Sequence, residues 1–129
     1  MRLCAGLAPP GAKRESDGRA RSGTFFSGVD PDPGARFPYR PIDRFDGWDD
    51  DDPFSPLYNS WADDRYANPG VTPEPMDVWA YHYGAVIAYN AARTPGPGSA
   101  IFPHINIGTP TAGCVTWPLS ALLEILRWP

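Results

Sequence analysis

Two residues in the last third of the chain have types and spacing suited to nucleophilic chemistry. Cys114 follows Gly113 in the run PTAGCVTW, and His104 lies ten residues upstream across a loop containing Gly108 and Pro110. A thiol attacks as its thiolate, so it needs a base within hydrogen-bond reach and a third group that orients the base. A strand–loop–strand hairpin can bring Cys114 and His104 together. Gly113 lets a substrate approach the backbone closely, and N–H groups around Gly113 and Cys114 can stabilise an oxyanion. Plainer readings stand beside this one. A cysteine after glycine is also a small buried hydrophobe, and a histidine is often structural. His82 competes for the base role, but between Tyr81 and Tyr83 it reads as a hydrogen-bonded structural histidine. A zinc site from His82, His104 and Cys114 lacks any paired-ligand spacing, so no metal and no cofactor are expected.

The elements that must position these residues are short. Residues 77–90 alternate large side chains on two apolar faces and read as a strand covered on both sides. Gly84 within it marks a bulge or a close approach. Ser99–Phe102 reads as a second strand ended by Pro103, which puts His104 at a strand end. Residues 105–113 are a connecting loop, and Cys114–Trp117 is a third strand. The C-terminal LSALLEILRW is the one good helix. Leu119, Leu122, Leu123 and Leu126 give it an apolar face, Pro118 suits its first position, and Arg127 complements its dipole. Upstream, short strands are expected at Leu3–Leu7 and from Gly23, with turns over 30–36. The proline-rich stretch 53–75 reads as ordered irregular chain anchored by Tyr58, Trp61 and Tyr66.

Composition narrows the classes. A chain of 129 residues suggests one domain. Eleven Lys+Arg against fifteen Asp+Glu offer no basic stripe, so nucleic acid is not an expected partner. No apolar run is long enough to span a bilayer. Seventeen prolines and thirteen glycines point to a loop-rich, mainly β chain. Asp43, Asp46 and Asp49–Asp52 form an acidic run. It reads as a solvated loop in preference to a Ca²⁺ site, because EF-hand spacing is absent. Of the two cysteines, Cys4 reads as a bystander thiol; a Cys4–Cys114 disulfide would remove the nucleophile. The N-terminus MRLCAGLAPPGAKRE lacks the apolar core of a signal peptide.

Several segments, in order, resemble a known family. RESDGRARSGTF at 14–25, DDPFSPLYNSWAD at 51–63, YHYGAVIAYN at 81–90, GSAIFPH at 98–104 and PTAGCVTWP at 110–118 look like the L,D-transpeptidase (YkuD-like) catalytic domain, in its short branch with a PTAGC nucleophile motif. The sequence departs from that pattern at Ser16, Arg21, Ser22 and Pro103. Ala112 stands where the broader family has His, as it does in the short branch.

The resemblance implies an L,D-transpeptidase-like β-sandwich over residues 14–129 with one C-terminal helix. Residues 1–13 are expected to be a disordered or truncated segment, and N-terminal strands to be missing. It implies Cys114 as nucleophile, His104 as base, and Gly113 and Thr111 at the substrate and oxyanion positions. The implied function is peptidoglycan L,D-transpeptidation: acyl transfer through a cysteine thioester, forming 3–3 cross-links between stem peptides. L,D-carboxypeptidase activity, with water replacing the acceptor amine, is the alternative within that class. An inactive envelope domain that binds peptidoglycan is the alternative outside it. The implied location is the cell envelope or the exterior, with stem peptides as partners and a monomer as the expected state.

Overall fold

The computed structural model describes residues 22–28, 31–36, 38–50, 52–66, 70 and 72–128. The segments 1–13 and Leu3–Leu7, and with them Cys4, lie outside the described residues. Two small sheets and one helix make up the fold. The first sheet has the order β1-β5-β6-β7, from Ser22–Ser27 (β1), Tyr83–Ile87 (β5), Pro103–Ile105 (β6) and Val115–Trp117 (β7). The second has the order β3-β2-β4, from Asp46–Asp49 (β2), Ser60–Asp63 (β3) and Glu74–Pro75 (β4). The helix α1 is Leu119–Arg127. A mainly β chain with one C-terminal helix is therefore what forms.

Pairings are antiparallel except β6 with β7, which run parallel, so the hairpin expected to join His104 and Cys114 does not form. Three local expectations shift. The strand expected over 77–90 begins only at Tyr83, because Trp79–Tyr81 forms a 3-10 turn closed by Tyr81 N–H to the Val78 carbonyl (2.9 Å) and His82 N–H to the Trp79 carbonyl (3.1 Å). An unbroken strand would put Trp79 and Tyr81 on one face. The turn separates them, leaving Trp79 56% exposed and Tyr81 fully buried. The strand expected over Ser99–Phe102 forms instead over Pro103–Ile105. Ala100 has φ +55, which breaks the extended path. Pro103 is tolerated as the first residue of the strand, where its missing N–H removes little pairing. The register irregularity of the sheet falls on β1 between Ser22 and Phe25, not at Gly84.

Two apolar clusters hold the fold. One joins the sheets: Trp48 of β2 meets Phe102 edge-on at 5.0 Å and Trp61 at 5.3 Å, with Ile42, Met76, Ala80, Tyr81, Ala100 and Cys114 around them. The other lies under α1, where Leu122 and Leu126 meet Ala85 and Ile105. Leu122 and Leu126 are four apart and so share one face of the helix. Pro118 caps α1, and its carbonyl accepts the Leu122 N–H at 3.0 Å. The Arg127 side chain donates to the Pro33 carbonyl at 2.6 Å, tying the helix end to the 31–36 loop.

Of the three expected anchors, Tyr58 is buried and Trp61 half-buried. Tyr66 is 77% exposed, with the Arg65 guanidinium 5.5 Å from its ring, and does not serve as an anchor. The acidic run is not one solvated loop either. Asp46 and Asp49 belong to β2; Asp46 accepts from Arg40 at 2.7 Å, and buried Asp49 accepts from Ser55 Oγ at 2.5 Å. Among the described residues no group of three or more His, Cys, Asp or Glu is placed to hold a metal ion.

Candidate active site

Cys114 and His104 sit on the parallel β6–β7 edge of the first sheet. Pro103 lies opposite Val115 and His104 opposite Thr116. Continuing that register sets Phe102 against Cys114, which agrees with the Phe102 N–H donating to Sγ at 3.0 Å and the Val115 N–H donating to the Phe102 carbonyl at 3.0 Å. His104 and Cys114 are thus diagonal neighbours.

The imidazole is oriented by its own strand. His104 Nδ1 lies 2.8 Å from the Ile105 carbonyl. A carbonyl can only accept, so Nδ1 carries the proton and Nε2 presents its lone pair. That Nε2 is buried with no hydrogen-bond partner. Tyr81 stands against the ring edge-to-face at 5.2 Å, and its hydroxyl donates to the buried Glu74 carboxyl at 2.7 Å. Burial pushes the His104 pKa below 6.5, and the hydrogen bond to Ile105 opposes that only in part. The ring is therefore neutral near pH 7, the state a general base requires. A backbone carbonyl fills the orienting role that no side chain in the sequence advertised.

The turn before Cys114 is closed by Thr111, whose hydroxyl donates to the Cys114 carbonyl at 2.7 Å. Gly113 has φ +146, in the region that favours glycine. Thr111 and Gly113 therefore shape the turn that presents the sulfur. The Val115 amide is committed to the Phe102 carbonyl and does not serve an oxyanion. His82 lies tilted against Trp79 at 5.0 Å between ring centroids, and its carbonyl accepts the Gly28 N–H at 2.7 Å, in keeping with a structural role.

Cys114 is itself in disulfide linkage, and there is no free cysteine among the described residues. The sequence contains one other cysteine, Cys4. Cys4 and its reading as a bystander thiol lie outside the described residues. In the state described, the sulfur is oxidised and cannot attack.

Sequence reasoning missed Asn59. Its Oδ1 accepts from Trp48 Nε1 (3.2 Å) and the Ala100 N–H (3.0 Å), and its Nδ2 donates to the carbonyls of Tyr89 and Asn90 (both 2.9 Å). Three of the segments that carry the family resemblance meet here: Asn59 from DDPFSPLYNSWAD, Tyr89 and Asn90 from YHYGAVIAYN, and Ala100 from GSAIFPH. A cavity of about 360 Å³ opens beside this joint between Trp48, Val86, Tyr89 and Arg93. Its walls include neither Cys114 nor His104. No protein-family model, curated protein or solved structure matches the chain.

Proposed function

We propose that the reduced protein is a cysteine acyltransferase of the L,D-transpeptidase type acting on peptidoglycan stem peptides. The observation that carries this reading is the His104 ring: Nδ1 locked to the Ile105 carbonyl, Nε2 buried and unanswered, on the strand beside Cys114. A buried polar atom without a partner calls for an explanation, and a base awaiting a proton supplies one. The ordered motif resemblance supplies the substrate class.

The first step is thiol–disulfide exchange. A dithiol reductant is oxidised to its disulfide, and Cys114 and its partner sulfur become thiols. His104 Nε2 then takes the Cys114 proton. The thiolate attacks the carbonyl between the third and fourth residues of the stem, and the C–N bond breaks. The imidazolium gives its proton to the leaving D-alanine amine, and a thioester remains. An acceptor amine attacks that thioester, the C–S bond breaks, and the thiol is restored as the 3–3 amide forms. With water in place of the amine, the same site is an L,D-carboxypeptidase. The expected setting is the cell envelope or the exterior.

The disulfide favours a second reading, an envelope-binding domain in which Cys114 is purely structural. Intact mass after reduction and incubation with a carbapenem, a class that acylates the cysteine of the resembling family, separates the two. One adduct per chain, lost in Cys114→Ala, is the acyltransferase result. A reduced, folded chain that takes no adduct yet sediments with purified peptidoglycan is the binding-domain result.

A further inference from the structure

We propose that Asn59 is a positioning residue for the Cys114 sulfur, acting through the left-handed peptide at Ala100. The use of that sulfur in acyl transfer rests on the reading above, whereas the coupling itself rests on geometry alone. Ala100 has φ +55, a conformation in which a Cβ crowds the following carbonyl and which alanine rarely adopts. Such a residue persists only where its surroundings hold it. Ala100 is fully buried and Ser99 nearly so, so water does not hold it. The hold comes from Asn59 Oδ1 on the Ala100 N–H at 3.0 Å, from a side chain whose other polar contacts fix it to Trp48, Tyr89 and Asn90.

The other end of the same segment reaches the sulfur. The Ala100 carbonyl lies 3.4 Å from Sγ, and the Phe102 N–H donates to Sγ at 3.0 Å. In the reduced chain the Ala100 carbonyl is the acceptor open to the neutral thiol, and the Phe102 N–H is the donor that stabilises the thiolate. A hydrogen bond to the charged form favours that form. The Ser99–Phe102 segment therefore sets how readily Cys114 ionises, and Asn59 sets the segment. Among the described residues, Tyr81 of the 3-10 turn shares the apolar cluster of Cys114 and stands against His104 of β6. None of the four hydrogen bonds of Asn59 goes to either.

The test is the pH profile of iodoacetamide alkylation on the full-length, reduced chain, quantified at the Cys114 peptide with Cys4 as the reference thiol in the same sample. Asn59→Ala should move the Cys114 profile to higher pH and slow its alkylation near neutrality by about fivefold, the scale of one lost hydrogen bond, with Cys4 unchanged. An unshifted profile on folded Asn59→Ala overturns the proposal. Adding Ala100→Gly should recover both the fold and the native profile, because glycine takes φ +55 without the clamp. A double variant that fails to fold, or that folds with the slow profile, also overturns it. Carbapenem adduct formation on the native chain is scored separately. Native acylation with an unshifted Asn59→Ala profile discards this proposal and keeps the acyltransferase reading; a shifted profile without acylation does the reverse.

Discussion

The Asn59 joint and the His104 corner treat their polar atoms in opposite ways. Asn59 spends both donors and its acceptor on four partners drawn from β2 and the loops after β5. His104 spends one nitrogen on the carbonyl of its own neighbour and leaves the other buried without a partner. A joint that satisfies everything fixes geometry. A corner that leaves a basic lone pair unanswered lowers local stability in return for a group able to move a proton. Sites where local rules are broken are where function is expected. On the proposed reading Asn59 is frame and His104 is chemistry, and the two should respond differently to mutation.

The largest effect is expected at His104. His104→Gln keeps side-chain bulk near the same place but offers no base. Positioned general bases contribute about 10²–10⁴-fold to rate. The rate of carbapenem adduct formation on the reduced chain should fall by about that factor while the circular dichroism spectrum is retained. A His104→Gln protein that acylates at the native rate would move the base role elsewhere and remove the contrast.

How legible was each region? The helix at Leu119–Arg127 stood out because four leucines at helical spacing can be satisfied in only one way. Cys114 and His104 could be named as candidates because thiol and imidazole are few in the chain, and the ordered motifs assigned them roles. What stayed hidden was set by backbone geometry that side-chain pattern does not encode. Nothing in alternation foretells that Ala100 turns left-handed, moving the strand from Ser99–Phe102 to Pro103–Ile105. Nothing marks Asn59 as a four-way joint, since its partners lie 11 to 41 residues away along the chain. The 3-10 turn at Trp79–Tyr81 was masked by an alternation that suits a strand equally well. The resemblance pointed to the neighbourhood of Asn59 without giving it a task.

A smaller effect separates the regions by pH. Burial holds the His104 pKa below the 6.5 of an unfolded histidine. Between those two values the unfolded chain binds the proton and the native chain does not, so stability falls as pH drops through 6.5 and levels off once the native ring titrates. On the described surface, Arg65 holds the exposed Asp63 carboxyl down to about 2. Its contribution is lost only as pH falls below 3.8, so the two windows are distinct. Urea unfolding midpoints from pH 7.5 to 5 should decline in the native chain and stay flatter in His104→Gln. The same lowered pKa should put the acid limb of the acylation profile below 6.5, because the base form of the ring survives to lower pH.

The smallest expected effect bears on the frame alone. Ala100 pays for its left-handed backbone with a Cβ that glycine lacks, and its strained φ is held by the Asn59 contact. Ala100→Gly removes that steric cost, about 1–2 kcal/mol for an L-residue, and adds back the greater freedom of glycine in the unfolded chain, about 0.5–1 kcal/mol. The loss of one buried methyl takes away a further fraction of a kcal/mol of packing. The balance should leave the urea midpoint within about 0.5 kcal/mol of native, where an ordinary buried alanine in a helix or strand would lose about 1 kcal/mol or more on the same change. Such tolerance at a fully buried position is the signature of a backbone chosen against its side chain. A loss of about 2 kcal/mol would instead mean that the methyl packs more tightly than the turn strains, and the joint would then hold Ala100 by contact as much as by hydrogen bond.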